Sequence, residues 1–310
     1  MTVVLFAGTP ENWKTYKYLI PEALAARGIS ADFSRDAAPE TVDYIVYSPL
    51  GPVQDFTPFT KLKAVLSLWA GVERIAGNQT LTVPLCRMVD NGLKNGMAEW
   101  VAGHVLRYHL GMDSHIVNPK HEWCNDAIPP LAKDRTVGIL GLGELGLACA
   151  GTLKCLGFNV AGWSRTPKEV DGIACYSGET GLEAVLNRSA TLVLLLPQTP
   201  ETTHIINAQT LAMLPKGARI LNPGRGPLID DPALLGALGS GHIAHATLDV
   251  FATEPLPKKH AYWAHPNVTV TPHIASETRP DTAAKVVAEN IFRGESGASF
   301  LFKVNRSTGY

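Results

Sequence analysis

The sequence predicts an α/β protein made of two doubly wound domains, and three observations carry that prediction. Short apolar runs alternate along the chain with segments at helical spacing, the pattern of parallel strands joined by crossover helices. The runs close in Gly, Pro or Ser clusters suited to the turn after a buried strand. With 310 residues, 45% hydrophobic and 18% charged, the chain can fill two cores of ordinary domain size.

Taken in order, Val3 to Ala7 is an apolar run closed by Gly8-Thr9-Pro10 and reads as a strand. Trp13 to Arg27 follows as a helix, with Trp13, Tyr16, Leu19, Ile20 and Leu24 on one side. Tyr44 to Tyr47 and Ala64 to Leu68 repeat the buried-strand pattern, ending in Ser48-Pro49-Leu50-Gly51-Pro52 and Trp69-Ala70-Gly71. A helix from Met97 to about His115, with Trp100, Val101, His104, Val105 and Tyr108 on one side, is expected to bridge the domains. The polar, Pro-punctuated stretch Asn118 to Pro130 comes next.

A second alternation opens at the strand Thr136 to Leu140, followed by a helix to Leu156. Further strands are expected near Phe158 to Gly162, Thr191 to Leu196, Ala218 to Leu221, Ala246 to Val250 and Val268 to Val270. Asp231-Pro232 is a helix start, because the carboxylate caps free N–H groups and proline is tolerated in the first turn; a helix is placed at about Pro232 to Leu238. The last helix, about Glu277 to Phe292, returns the chain to the first domain. The expected division is 1–98 with 285–310 for the first domain and 99–284 for the second.

Composition excludes several classes. A formal net charge of -1, a pI near 6.8 and no Lys/Arg run leave no field for nucleic acid or an anionic membrane. No stretch approaches the ~20 apolar residues of a membrane helix. Five cysteines (Cys86, Cys124, Cys149, Cys155, Cys175), an odd number without CxxC spacing, argue against a disulfide framework and a zinc knuckle. A soluble protein of the reducing cytoplasm, without metal, is expected.

Gly141-Leu142-Gly143-Glu144-Leu145-Gly146 lies between a strand and a helix, the context that makes GxGxxG a dinucleotide fingerprint. The first glycine permits the turn, the second lets pyrophosphate approach the backbone, and the third lets helix pack on strand. About 20 residues on, where a carboxylate would bind the ribose 2'-OH of NAD, the chain has Trp163-Ser164-Arg165-Thr166. A guanidinium with no neighbouring acid favours a 2'-phosphate, so NADPH is expected over NADH.

His273, in Thr271-Pro272-His273, follows a strand directly, where carboxyl ends of parallel strands face the ligand crevice. Arg225, in Asn222-Pro223-Gly224-Arg225-Gly226, and Glu254, in Asp249-Val250-Phe251-Ala252-Thr253-Glu254-Pro255, each follow a strand as well. Reducing a carbonyl beside a carboxylate needs a fixed cation, a proton donor and a group that keeps the donor protonated. Arg225, His273 and Glu254 match those needs in turn, and reduction is expected to fail at high pH.

These motifs, with Leu196-Pro197-Gln198-Thr199-Pro200-Glu201-Thr202 and Thr278-Arg279-Pro280, resemble the D-2-hydroxyacid dehydrogenase family over nearly the whole chain, in its glyoxylate/hydroxypyruvate reductase A branch. The resemblance implies a Rossmann cofactor domain inserted in a flavodoxin-like substrate domain. It implies that Arg225 binds substrate carboxylate and carbonyl, His273 donates the proton, and Glu254 holds His273. Cofactor contacts are implied for Gly141, Gly143, Glu144, Leu145, Gly146, Ser164, Arg165, Thr166, Leu196, Pro197, Thr202, Pro223 and Gly224, with Asp249 facing the nicotinamide carboxamide. Substrate contacts are implied for Tyr47, Trp69, Ala70 and Gly71, the last two through backbone N–H groups. Tyr47 stands where the family has tryptophan, and Trp69 where it has a small residue.

The activity implied is NADPH-dependent reduction of glyoxylate and hydroxypyruvate by a homodimer. Trp69 narrows the pocket toward small keto acids or stacks on an aromatic one, so a reductase for bulkier keto acids such as phenylpyruvate is the alternative. A nucleotide-sensing binding module resembling the C-terminal binding protein corepressors is a third reading, since fold does not dictate function.

Overall fold

A computed structural model describes residues 1–116, 123 and 128–309. Most of the stretch Asn118 to Pro130, and Cys124, lie outside these residues. The chain divides into two compact units, Met1–Leu93 with Glu277–Tyr310, and Lys94–Ser276.

Along the chain the first elements are β1 (Thr2–Ala7), α1 (Pro10–Ala25), β2 (Ala31–Ser34), β3 (Tyr44–Tyr47), β4 (Ala64–Ser67), α2 (Glu73–Ala76) and β5 (Leu85–Cys86). Next come α3 (Asn91–His109), α4 (Asp113–Ile116), β6 (Thr136–Leu140), α5 (Glu144–Cys155), β7 (Asn159–Trp163), β8 (Ala174–Tyr176) and α6 (Gly178–Leu186). The rest are β9 (Thr191–Leu194), α7 (Ala208–Met213), β10 (Ala218–Asn222), α8 (Asp231–Gly239), β11 (Ile243–Leu248), β12 (Val268–Val270) and α9 (Pro280–Glu295).

In the first unit five parallel strands run in the order β2-β1-β3-β4-β5, the flavodoxin-like order. Alternate residues of β1 enter opposite cores, as the two-residue period of a strand demands. Val4 and Phe6 join Tyr16, Ile20 and Leu24 of α1 and Ala284, Val287 and Ile291 of α9. Leu5 and Ala7 join Ile45, Val65, Phe56, Ile75 and Leu81 on the other face. Helix α1 starts at Pro10 because Thr9 caps it, its hydroxyl accepting the Asn12 N–H at 3.2 Å.

The second unit has seven parallel strands in the order β12-β11-β10-β9-β6-β7-β8. Counted from β6, this is the Rossmann order with one strand added, and the order reverses between β6 and β9. One face carries Leu140, Leu192, Leu194, Ile220 and Leu248 against Leu186, Leu211, Leu234 and Leu238. The other carries Val137, Ile139, Val193 and Leu221 against Val101, Val105 and Tyr108 of α3 and Cys149, Ala150 and Leu153 of α5. The two-domain doubly wound fold read from the sequence is therefore what the chain adopts.

Details differ at element ends. Helix α3 begins six residues before the expected Met97, with Asp90 Oδ1 accepting the Leu93 N–H at 3.0 Å, and it breaks after His109, near Gly111 with φ +64°. The cap of α8 is Asp230, which accepts the Ala233 N–H at 3.1 Å; Asp231 instead accepts the Tyr262 hydroxyl at 2.8 Å. Among the described residues no helix is long and apolar enough to cross a membrane.

Candidate active site

The glycine turn joins β6 to α5 in the second unit, and its three glycines meet three different surroundings. Gly141 has φ +109°, and a Cβ there would press on the Leu195 carbonyl. A Cβ at Gly146 would overlap the Gly141 carbonyl, so this glycine lets α5 sit directly on the turn. A Cβ at Gly143 would meet nothing within 4 Å. No packing of the chain itself requires glycine there, and the open space lies at the start of α5, where no side chain caps the first-turn N–H groups. An anion fits that space, since uncapped helix N–H groups and the helix dipole both favour negative charge.

Around the turn, Glu144 is half-buried and pairs with Lys94 at 3.2 Å. Leu145 is half-buried and Leu196 buried. Thr202 shapes the loop after β9, its hydroxyl donating to the Pro197 carbonyl at 2.7 Å and accepting the Thr199 N–H at 2.8 Å. Beyond β7, Ser164 is buried and donates to the Thr166 carbonyl at 2.7 Å, whereas Arg165 and Thr166 are exposed. No carboxylate occupies positions 163–168. These residues fit a dinucleotide, with pyrophosphate at the helix start.

At the other end of the sheet three adjacent strands, β10, β11 and β12, are in register at Asn222, Leu248 and Val270. Arg225, Glu254 and His273 follow their carboxyl ends. Buried Asn222 moulds the first loop: its Oδ1 accepts the Gly224 N–H at 3.1 Å and its Nδ2 donates to the Arg225 carbonyl at 2.9 Å. Pro223 and Gly224 are buried and Arg225 is half-buried, its guanidinium donating to the Gly224 carbonyl at 2.6 Å. Gly226 has no room for a Cβ because the Phe251–Ala252 backbone lies against it.

That contact links the Arg225 loop to the Glu254 loop, and Glu254 links onward. Its Oε1 accepts the Phe251 N–H at 2.9 Å and its Oε2 pairs with His273 Nδ1 at 2.7 Å. Arg225, Glu254 and His273 thus stand in one continuous set of contacts. A carboxylate on Nδ1 fixes the ring and directs its other nitrogen outward. The His273 side chain is 54% exposed, and Nε2 has no protein partner among the described residues.

His273 has φ +56°, the left-handed region, which is strained for a residue with a Cβ. Asp249 holds it there. The His273 N–H donates to the Asp249 carbonyl at 2.8 Å, and the Asp249 carboxylate, 1% exposed, accepts the Thr271 hydroxyl at 2.6 Å and the Ile274 and Ala275 N–H groups, each at 2.9 Å. Sequence reading named Asp249 for a cofactor contact. It missed this grip on the His273 loop and gave no role to Asn222 or Thr271, which it quoted only as parts of motifs; a polar residue at the last or next position of a buried strand was the available signal.

The first-unit residues are placed as follows. The Tyr47 side chain is buried and packs on Phe56, with ring centroids 5.9 Å apart, so burial pushes its hydroxyl pKa up. Trp69 is 39% exposed, and Ala70 and Gly71 are half-buried. Ser67 Oγ accepts the Trp69 N–H at 3.0 Å, and the Met88 N–H donates to the Trp69 carbonyl at 3.0 Å, which shapes the loop. Among the described residues no group of three His, Cys, Asp or Glu side chains is placed to hold a metal ion.

Comparison with known proteins bears on this geometry. Residues 105–275 match the NAD binding domain of the D-isomer specific 2-hydroxyacid dehydrogenases. The chain is 41% identical over 259 residues to glyoxylate/hydroxypyruvate reductase A of Serratia proteamaculans, covering 81% of this chain and 82% of that one. Among solved structures, it is similar to a D-isomer specific 2-hydroxyacid dehydrogenase from Xanthobacter autotrophicus Py2 in complex with NADPH and MES, at a TM-score of 0.91 and 39% identity, covering 100% of this chain and 99% of that one. It is also similar to an NADPH-dependent glyoxylate/hydroxypyruvate reductase from Sinorhizobium meliloti in complex with NADP and sulfate, at 0.83 and 34%, covering 100% and 99%.

Proposed function

The chain belongs to the D-isomer specific 2-hydroxyacid dehydrogenase family, and on that premise we propose that it reduces small 2-keto acids, glyoxylate to glycolate and hydroxypyruvate to D-glycerate, with NADPH. The observation that carries the reading is the 2.7 Å pair between His273 Nδ1 and Glu254 Oε2. It stands just beyond β12 in the same unit as a glycine turn open to a pyrophosphate. Relatives of this chain carry the same named activity, and two similar structures hold NADPH or NADP.

NADPH bound on the turn would supply a hydride to the carbonyl carbon. The carbonyl π pair moves onto oxygen, and His273 Nε2 gives that oxygen its proton. Glu254 balances the imidazolium before transfer and holds the ring in one orientation after it. Arg225 offers a planar donor fork to the substrate carboxylate and carbonyl, a match that a point charge would not provide. Asp249 keeps the His273 loop in its left-handed form, and it is also proposed as the acceptor for the carboxamide.

NADPH preference over NADH rests on Ser164, Arg165 and Thr166 and on the missing carboxylate. Glu144, Leu145, Leu196, Pro197, Thr202, Pro223 and Gly224 are proposed to line the cofactor, and Tyr47, Trp69, Ala70 and Gly71 to contact substrate. A homodimer is proposed as the working form. Exposed apolar residues support it: Leu110, Met112, Ile116, Trp123, Ile128 and Leu131 cluster in one short region of sequence. The apolar side of α3 is already covered within its own unit, with Val101 and Val105 buried.

Steady-state kinetics over glyoxylate, hydroxypyruvate, phenylpyruvate and pyruvate with each nicotinamide tests the reading. Glyoxylate and hydroxypyruvate with NADPH should give the highest kcat/KM; a phenylpyruvate optimum would move the assignment to bulkier keto acids. His273→Ala should lower kcat by about a hundredfold to ten-thousandfold while NADPH still binds. Turnover that survives this change would remove His273 as proton donor, and a wild-type protein that binds NADPH without turnover would be a binding module.

A further inference from the structure

The loop that carries Glu254 is long and mostly exposed, so the carboxylate needs an anchor outside its immediate neighbours. From Asp249 to His260 the chain forms neither strand nor helix, and Ala252 to Pro255 are exposed. The near end is fixed at Phe251, whose N–H donates to Glu254 Oε1 at 2.9 Å and whose backbone lies against Gly226. The far end is a compact turn. There the Pro257 carbonyl accepts the His260 N–H at 2.9 Å and the Trp263 indole N–H at 3.1 Å, and His260 Nδ1 accepts the Tyr262 N–H at 3.3 Å. Only Pro255 and Leu256 separate Glu254 from that turn, and the rings of Pro255 and Pro257 each fix φ. Displacing the turn therefore displaces Glu254.

Tyr262 fastens the turn to the sheet. It is buried in one core with Leu234, Leu238 and Leu248, and Phe251 and Leu256 pack against that same core. Its hydroxyl donates to Asp231 Oδ1 at 2.8 Å, and burial first, then the Asp231 charge, raises its pKa, so it stays a donor across the neutral range. His260 stacks on the Tyr262 ring with centroids 4.7 Å apart. Because its Nδ1 accepts, the neutral imidazole carries its proton on Nε2, 3.6 Å from Asp231 Oδ2. Asp230 caps α8, which leaves the Asp231 carboxylate to this task. Asp231 also ends the segment that runs on from Arg225. The Arg225 and Glu254 loops are thus joined near the site by Gly226 against Phe251, and away from it by Asp231 and Tyr262.

We propose that Asp231 and Tyr262 are a positioning pair: without touching substrate or cofactor, they set where Glu254 stands against His273, and so set kcat. The proposal rests on the reading that Glu254 and His273 act together in keto acid reduction. Its rival is a buried hydroxyl bond that only stabilises the fold. A stabilising bond costs melting temperature and leaves the rate of the folded enzyme alone. A positioning bond costs rate, and only while Glu254 is there to be positioned.

Steady-state kinetics with the keto acid that wild type reduces best, run well below each variant's melting temperature, separates the two. Tyr262→Phe should lower kcat about tenfold, part of the about hundredfold that a misplacement on the order of 1 Å costs, with the KM for NADPH within about twofold. Asp231→Ala removes the same bond from the more exposed partner and should show the same loss. Asp231→Asn, whose amide oxygen still accepts the hydroxyl, should recover most of the rate. In a Glu254→Ala background, Tyr262→Phe should change the residual kcat by less than about twofold, because the pair acts through Glu254. A full rate in folded Tyr262→Phe or Asp231→Ala, or a further loss of about tenfold on top of Glu254→Ala, would overturn the pairing, while the loss in Glu254→Ala alone still upheld the reading of the site. A Glu254→Ala protein as fast as wild type would overturn both.

Discussion

Replacing Asp249 by Asn asks whether the carboxylate buried just beyond β11 keeps the His273 loop in working shape. The amide has the same outline and can keep an oxygen toward the Thr271 hydroxyl and the Ile274 N–H, but it must turn NH2 toward the Ala275 N–H, now 2.9 Å from Oδ2. Loss of the charge weakens three charge-assisted bonds, and the carboxylate's desolvation cost disappears with it; these two changes oppose each other and are of similar size. What remains is a buried donor facing a donor, a loss of about 2 kcal/mol. The left-handed His273 backbone stores strain of about 1–2 kcal/mol, which persists only while its neighbours over-determine it. A loss equal to the strain lets the loop relax, and a misplacement on the order of 1 Å costs about a hundredfold in rate. Urea unfolding should show about 2 kcal/mol lost, and kinetics should show kcat down about a hundredfold, with the KM for NADPH raised by no more than the about tenfold worth of one lost carboxamide hydrogen bond. An unchanged kcat in a destabilised variant would refute the reasoning; a raised KM for NADPH with normal stability and normal kcat would leave the carboxylate the carboxamide role alone.

Three further outcomes rest on other contacts of the fold. His245 accepts or donates to the Thr269 hydroxyl at 2.9 Å, and burial first, then the Arg107 charge, push its pKa down to about 4 from 6.5. The unfolded chain then binds the proton more readily, so stability is full above pH 6.5 and falls as pH drops toward 4, by about 3 kcal/mol from this residue. His104 and His109, both lowered chiefly by burial, act in the same direction. Urea unfolding at pH 7.5 and 4.5 should show a smaller difference in His245→Asn than in wild type, and an equal difference would exclude His245 as a contributor. In the glycine turn, Gly146→Ala should destabilise by more than about 2 kcal/mol, since its Cβ has no room. Gly143→Ala should keep stability within about 1 kcal/mol and weaken NADPH binding about tenfold. Thermal melts and fluorescence titration would show it, and normal binding in Gly143→Ala would place the pyrophosphate elsewhere.

Strands buried on both faces were legible because their signal is local: β1, β3, β4 and β6 are continuous apolar runs with a turn behind them. Three of the four edge strands, β2, β5 and β8, were not, although the fourth, β12, was. Ala31–Ser34 is half-exposed and carries Asp32, Leu85–Cys86 is two residues long, and Ala174–Tyr176 lies at the border of its sheet, so neither length nor hydrophobicity marks them. The short helices α6 and α7 give too few turns for a helical period to stand out. Asp230 and Asp231 are equally good caps by residue type, and in the fold Asp230 caps the helix while Asp231 meets the Tyr262 hydroxyl, 31 residues away.

The alternation of the central strands with their longer helices, the glycine turn and the candidates Arg225, Glu254 and His273 were determined by sequence alone, because periodicity and turn chemistry lie within a few residues of one another. Tertiary structure decided that Glu254 meets His273, that Asp249 grips the His273 loop and that the apolar side of α3 is covered. Each of those contacts joins residues distant along the chain, and a side chain's partner across a fold is set by strand register and loop path rather than by its own neighbours in sequence.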